Sequence, residues 1–138
     1  MEQNGCKIIG DRKIKKMYDG KVQKASSKDW SKEYLSPVVS VKSVKNLDEA
    51  IFHINKYGTM HTDCIITQNK KSAKKFMKNV KSSIAMHNTS TQFADGGEFG
   101  FGAEVGISTN TLPPRGPVGL DQLVSYKYQI SSKGEIRK

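Results

Sequence analysis

Long apolar runs are missing from this 138-residue chain; with no stretch near 18 consecutive apolar residues, a membrane-spanning helix is excluded. Cysteine is scarce too. Cys6 and Cys64 are too few for a disulfide framework, and too few for a thiolate zinc site without histidines beside them. The three histidines, His53, His61 and His87, have no ligand-like spacing, so no metal is expected. The opening residues, Met-Glu-Gln-Asn-Gly, lack the charged-then-apolar layout of an export signal, which points to a cytoplasmic, reducing location. Arginine is nearly absent: 20 of the 23 basic residues are lysine. The net charge of +10 lies wholly within residues 1–82, because residues 83–138 carry five basic and five acidic groups. Specific base readers rely on Arg, Asn and Gln held in a groove, and no zinc-finger, RNP-like or helix-turn-helix signature accompanies these lysines. A solvated basic surface is therefore preferred to a nucleic-acid interface.

What is present suits one modest domain, 36% hydrophobic and 26% charged. Val38–Val44 is β-branched and bounded by Pro37 and Asn46, the mark of a strand. Asn46 with Glu49 three residues on predicts a capped helix start. Leu47, Ala50, Ile51 and Ile54 then form one buried stripe, and Gly58 is placed as a left-handed stop. The unit repeats: strand Cys64–Thr67, a stripe of Ala73, Phe76, Met77 and Val80, then strand Ile84–His87. Strand–helix–strand–helix–strand with short connections predicts an α/β fold built on a parallel sheet with right-handed crossovers. Upstream, Ile8-Ile9 reads as a brief strand closed by a Gly10-Asp11 turn, Arg12–Tyr18 as a short helix and Ala25–Asp29 as loop.

The third strand delivers Asn88-Thr89-Ser90-Thr91 to the carboxyl edge of the sheet, where open α/β sheets bind ligands. Asp95–Gly102 follows with four glycines in eight residues, a shaped loop. The carboxylates Asp95, Glu98 and Glu104 of this glycine-rich stretch either form a functional cluster or solubilise it, and spacing does not choose between these. Cys64 reads as a packing residue, while Cys6 has no histidine or acid near it in sequence to make it catalytic. After the irregular Leu112–Pro117 segment, a short helix near Gly119–Val124 leads to a closing strand, Val124–Ile130. Val124, Tyr126, Tyr128 and Ile130 share one of its faces.

The literal strings say more. The run from Asn88 to Thr109, NTSTQFADGGEFGFGAEVGIST, with RGPVGL from Arg115 to Leu120, resembles the carboxyl-terminal signature of the γ-glutamyl phosphate reductases. These are the glutamate-5-semialdehyde dehydrogenases of proline biosynthesis, a branch of the aldehyde dehydrogenase superfamily. LDEAIFHINKYG from Leu47 and HTDCIIT from His61 are similar to the preceding segment of that family. The resemblance covers residues 29–138 well and 1–28 loosely, and it reaches only the last third of the enzyme. It implies three regions: a basic segment 1–28; a partial catalytic α/β domain with the glycine loop, 29–110; and a loop, short helix and oligomerisation strand, 111–138. The family reaction it implies is reductive: NADPH delivers hydride to a thioester formed when a cysteine thiolate displaces phosphate.

Carried over position by position, Glu33-Tyr34-Leu35-Ser36-Pro37 resembles the superfamily's Glu-Ile-Phe-Gly-Pro stretch. Glu33 and Leu35 are then the cofactor-side residues, beside the ribose and nicotinamide of NADP. Asn88 and Phe93 match the residues that open the substrate-side loop, and Gly100-x-Gly102-Ala103-Glu104-x-Gly106 matches a loop-shaping stretch. Gln92 stands where the family has arginine, and Thr89, Ala94 and Pro113-Pro114 also depart from it. The family nucleophile lies in an upstream Cys-Asn motif that neither cysteine here reproduces, so no residue is assigned as catalytic. The expected function is that of a reductase part inactive by itself, which self-associates or joins a complementary upstream fragment. The alternatives are the small subunit of a split reductase and a basic module binding nucleic acid or acidic partners.

Overall fold

The computed structural model describes residues 5–108, 110–134 and 136. β1 (Lys7–Gly10), α1 (Arg12–Met17), β2 (Val22–Lys24) and β3 (Val38–Val41) open the chain, and the strands form a parallel sheet in the order β2-β1-β3. Asp11 makes this unit close. It is the N-cap of α1, with Oδ1 accepting from the Lys13 and Ile14 amides at 2.9 and 2.8 Å. Oδ2 accepts from the Ser43 amide at 2.8 Å, tying the β1–α1 turn to the end of β3. Gly10 admits no side chain, because a Cβ there would stand 2.8 Å from Val22 and 2.9 Å from Ile14.

α2 (Leu47–Tyr57), β4 (Thr62–Ile65), α3 (Lys70–Asn79) and β5 (Ile84–His87) repeat the pattern, with β4 and β5 parallel. Both helices start on asparagine caps: Asn46 Oδ1 accepts from the Glu49 amide and Asn69 Oδ1 from the Ser72 amide. The stripes on α2 and α3 meet in a core of Ile51, Phe76 and Val80, with Leu47, Ile54, Ile65 and Ala85 packed against it. A hairpin of β6 (Val105–Ile107) and β7 (Gly116–Val118) follows, then a 3₁₀ turn, Leu120–Gln122. Val118 is the most enclosed large side chain of the described residues, 1% exposed.

The α/β class and the parallel crossovers agree with the sequence reading, and several details correct it. Strands expected as one sheet lie in two pieces: β3 pairs with β1, and β4 with β5. β2 carries one half-buried valine among exposed polar residues, too little periodicity for sequence to reveal it. Gly58 is extended, not left-handed, at φ −70°. Glycine is needed there because a Cβ would sit 2.7 Å from the Ile54 carbonyl oxygen. Met77 is 40% exposed, so the buried face of α3 is narrower than its apolar pattern. Glu49 closes the α2 cap on the Lys45 amide, not on Asn46.

Val124–Ile130 has no strand partner among the described residues, and Val124, Tyr126, Tyr128 and Ile130 are each at least 74% exposed. The alternating face is real as a pattern, but strand structure requires a neighbour that the described residues do not supply. The accessible surface, 11224 Å², exceeds the roughly 7,100 Å² expected of a compact monomer of this mass.

Candidate functional site

The 3₁₀ turn Ser27–Ser31 precedes and holds the segment that carries Glu33 and Leu35, the expected cofactor-side residues. Asp29 organises it. Its Oδ2 accepts from the Ser26 amide at 2.7 Å and the Ser26 hydroxyl at 2.6 Å, and its Oδ1 accepts from the Tyr34 hydroxyl at 2.8 Å. Tyr34 also bonds Ser40 of β3 at 3.0 Å, and Ser40 donates to the Asp29 carbonyl. With Tyr34 turned inward, its neighbours Glu33 and Leu35 are exposed, Leu35 by 89%. Leu35 also has φ +49°, a left-handed conformation that costs a leucine about 1–2 kcal/mol. A strained, solvent-facing apolar side chain gains nothing from packing, and that is how residues reserved for a ligand are often held.

The Ser26 hydroxyl and amide, followed by the Tyr34 hydroxyl, hold the Asp29 carboxyl at about 2, below its ordinary 3.8. A depressed carboxyl contributes stability that is present above the unfolded value and lost as pH falls through about 2. Asp63 works in the opposite sense: burial raises it, against the Ser82 hydroxyl that donates to it, so its protonation favours the fold. Asp29→Asn should therefore flatten the acid loss of stability between pH 3.8 and about 2. The check is the difference in melting temperature between wild type and variant across that window.

The second group of expected site residues begins where β5 runs into Asn88, whose φ is +55°. Its side chain mimics a strand partner: Oδ1 accepts from the Thr67 amide at 2.8 Å, and Nδ2 donates to the Thr67 carbonyl at 2.9 Å. The Asn88 amide donates to the Ile65 carbonyl, and His87 Nε2 lies 2.8 Å from the Thr67 oxygen. A 3₁₀ turn, Thr91–Phe93, follows, capped by Ser90, and leaves Phe93 53% exposed. Asn88 is thus a structural clamp, whereas Phe93 faces solvent. Gln92 is exposed on the same turn.

The glycine loop is shaped from within. Asp95 Oδ1 accepts from the Gly97 and Glu98 amides at 2.7 and 3.3 Å, which accounts for Asp95 as a turn former. Gly96 lets the loop fold onto Glu104, where a Cβ would meet the Glu104 Cβ at 2.6 Å. Arg115 then locks the following segment: Nε donates to Ser83 Oγ at 2.8 Å, and Nη2 donates to the carbonyls of Lys81 and Met60 at 2.6 and 3.4 Å. Asp29, Tyr34 and Arg115 are residues to which sequence assigned no role. Ser26 and Asp29 form a Ser-x-x-Asp capping box, a local signal that could have found Asp29, whereas the partners of Arg115 lie up to 55 residues away and no local pattern marks it.

Neither thiol is activated by a described base. Cys6 Sγ lies 3.8 Å from the Lys7 carbonyl, and Cys64 Sγ donates to the Thr89 carbonyl at 3.1 Å. No cluster of metal-ligating side chains occurs among the described residues, and none of their helices is long and apolar enough to cross a membrane. Glu33 and Leu35 are carried by the Asp29–Tyr34–Ser40 network, and Asn88 and Phe93 by the Thr67 bonds and the Ser90-capped turn; the two pairs are held by separate networks.

The aldehyde dehydrogenase family model matches residues 21–108, well over half of the chain. This chain belongs to the aldehyde dehydrogenase family. Within that family it is similar to γ-glutamyl phosphate reductases. It is 56% identical over 133 residues to the one from Prochlorococcus marinus strain MIT 9301, covering 96% of this chain and 30% of that protein. It is 50% identical to the one from Methylocella silvestris, with 31% of that protein covered. The crystal structure of the Thermotoga maritima γ-glutamyl phosphate reductase superposes with a TM-score of 0.84 at 43% identity, covering 99% of this chain and 33% of that one. The Saccharomyces cerevisiae enzyme matches 72% of the chain with a TM-score of 0.55. The chain spans about 30% of the length of the curated relatives it matches.

Proposed function

We propose that this aldehyde dehydrogenase-family chain forms part of a γ-glutamyl phosphate reductase and has no turnover by itself. One observation carries the reading: 56% identity to such a reductase over 133 residues that make up only 30% of it. The geometry agrees. Acyl-phosphate reduction through a thioester needs a thiolate beside a base or cation, and both thiols here spend their hydrogen on backbone carbonyls. The chain's share is the rim: Asn88 and Phe93 on the substrate side, Glu33 and Leu35 on the cofactor side. The exposed Glu33 carboxylate suits sugar hydroxyls and the exposed Leu35 suits a flat ring, so both fit a nicotinamide cofactor. NADPH, when bound, would supply hydride. The setting implied is cytoplasmic biosynthesis.

The test is NADPH oxidation with γ-glutamyl phosphate, using the chain alone and then mixed with the remaining portion of the Prochlorococcus reductase. The chain alone should give no turnover. Recovery in the mixture identifies a subunit of a split enzyme, while none identifies a reductase part without activity. Turnover by the 138 residues alone that Cys6→Ser abolishes would overturn the reading.

The exposed Val124–Ile130 segment supplies the partner surface under the same proposal. Its apolar alternation and lack of a strand neighbour favour edge pairing with a second copy. Sedimentation of the pure chain should show an oligomer, and Tyr126→Lys with Tyr128→Lys should return it to monomer.

A further inference from the structure

A cleft between the Ser27–Ser31 turn and α2 is lined by none of the four rim candidates and has no role in the reductase reading. It has a volume of about 260 Å³, and its lining includes Trp30, Ser40, Lys42, Val44, His53 and Ile54. Lys42 is half-buried, and its Nζ stands 3.1 Å from His53 Nδ1 and 5.9 Å from the centre of the Trp30 ring. Trp30 meets His53 edge-on at 5.6 Å, and His53 packs on Tyr57 at 4.8 Å. Lys42 is not an ion-pair partner of any described carboxylate; the ion pair found among the described residues joins Lys75 and Asp48. An ammonium held against a neutral imidazole in a part-desolvated cleft lacks compensation that an entering anion would provide.

We infer that this cleft binds a small organic carboxylate, the acid group on Lys42 and the apolar body against Trp30, Val44 and Ile54. One cation with three apolar walls favours a singly charged acid with a hydrocarbon portion over phosphate, which would bring excess charge and no apolar surface. The volume falls below the roughly 300–1,000 Å³ of sites for drug-sized ligands, so the acid is a small one. The charged groups acting on His53 are Lys42 from β3's end and Glu49 and Lys56 from its own helix. Burial, then Lys42, lowers its pKa. A carboxylate on Lys42 reverses the second of these influences, so binding raises the His53 midpoint.

Trp30 is the chain's single tryptophan, so its emission reports on this cleft alone. Isobutyrate is the probe, isobutyramide the uncharged isostere and phosphate the charge-only control. Isobutyrate should change Trp30 emission saturably and raise the His53 midpoint, followed by ring NMR, by on the order of one pH unit. K42M should abolish both effects. Comparing isobutyrate with isobutyramide on the wild-type chain decides the matter even if K42M fails to fold. No saturable change, an equal effect of isobutyramide or of phosphate, or full retention in folded K42M would each overturn the assignment.

Discussion

Phe76→Ala should cost about 3–5 kcal/mol, the usual range for deleting a fully enclosed phenyl ring. Few described residues share the load. The apolar side chains buried beyond nine-tenths are Ile8, Ile51, Ala73, Phe76, Val80, Met86 and Val118, and Phe76 at 3% exposure is the largest. It stands where α2 and α3 meet, against Ile51 and Val80, so its removal opens the interface that positions β4 and β5. Typical domains have only about 5–15 kcal/mol in hand, and a chain with this much exposed apolar surface belongs at the low end. The variant should therefore be largely unfolded or aggregated at room temperature. Met77→Ala, one residue along the same helix, removes a side chain that is 40% exposed and should change stability by less than about 1 kcal/mol. Urea unfolding of the two variants side by side checks the pair. Similar losses at both positions would mean that α3 is packed on a broader face than its geometry indicates.

That pair also shows how far the sequence could be read. Ala73, Phe76, Met77 and Val80 recur at helical spacing, and this periodicity located α3 and its facing side. It could not say that the stripe stops short of Met77, because stripe width depends on the curvature and distance of the partner surface. The parallel β–α–β order was legible for the same reason, since apolar periodicity and capping residues are local signals. The division of the sheet was not, because strand adjacency is decided by contacts far apart in the chain. Literal strings picked out Glu33, Leu35, Asn88 and Phe93 as site candidates, but their conformations came only with the structure. Nothing in a Tyr-Leu-Ser-Pro run announces that Leu35 is left-handed, or that Asp29 and Ser40 jointly grip Tyr34. Closing strand Val124–Ile130 is the converse case: its alternation is a sound strand signal with no strand to pair with in the described chain.

Asn88 offers the second large effect, because its side chain holds the end of β5 and is also the one proposed for the substrate side. Its amide group makes both bonds that a neighbouring strand would make to Thr67, and its backbone sits at φ +55°, where asparagine is better tolerated than other residues with a Cβ. Asn88→Ala removes both bonds, at about 1 kcal/mol each, and adds left-handed strain of about 1 kcal/mol, for a loss of about 2–4 kcal/mol. Asn88→Gly loses the same bonds without the strain and should be less damaging. Asn88→Asp keeps an acceptor for the Thr67 amide but sets a carboxylate oxygen against the Thr67 carbonyl, so it should fall below glycine at neutral pH and recover on acidification. Urea midpoints in the order wild type, Gly, Ala would separate strain from hydrogen bonding. Equal values for Gly and Ala would show that the left-handed turn stores no strain, and an unchanged Ala variant would show that the Thr67 clamp holds nothing. If the reductase reading is right, even the milder glycine variant should lower turnover in the mixture with the Prochlorococcus portion. Its loosened segment, Asn88 to Phe93, is the one that would face the acyl group.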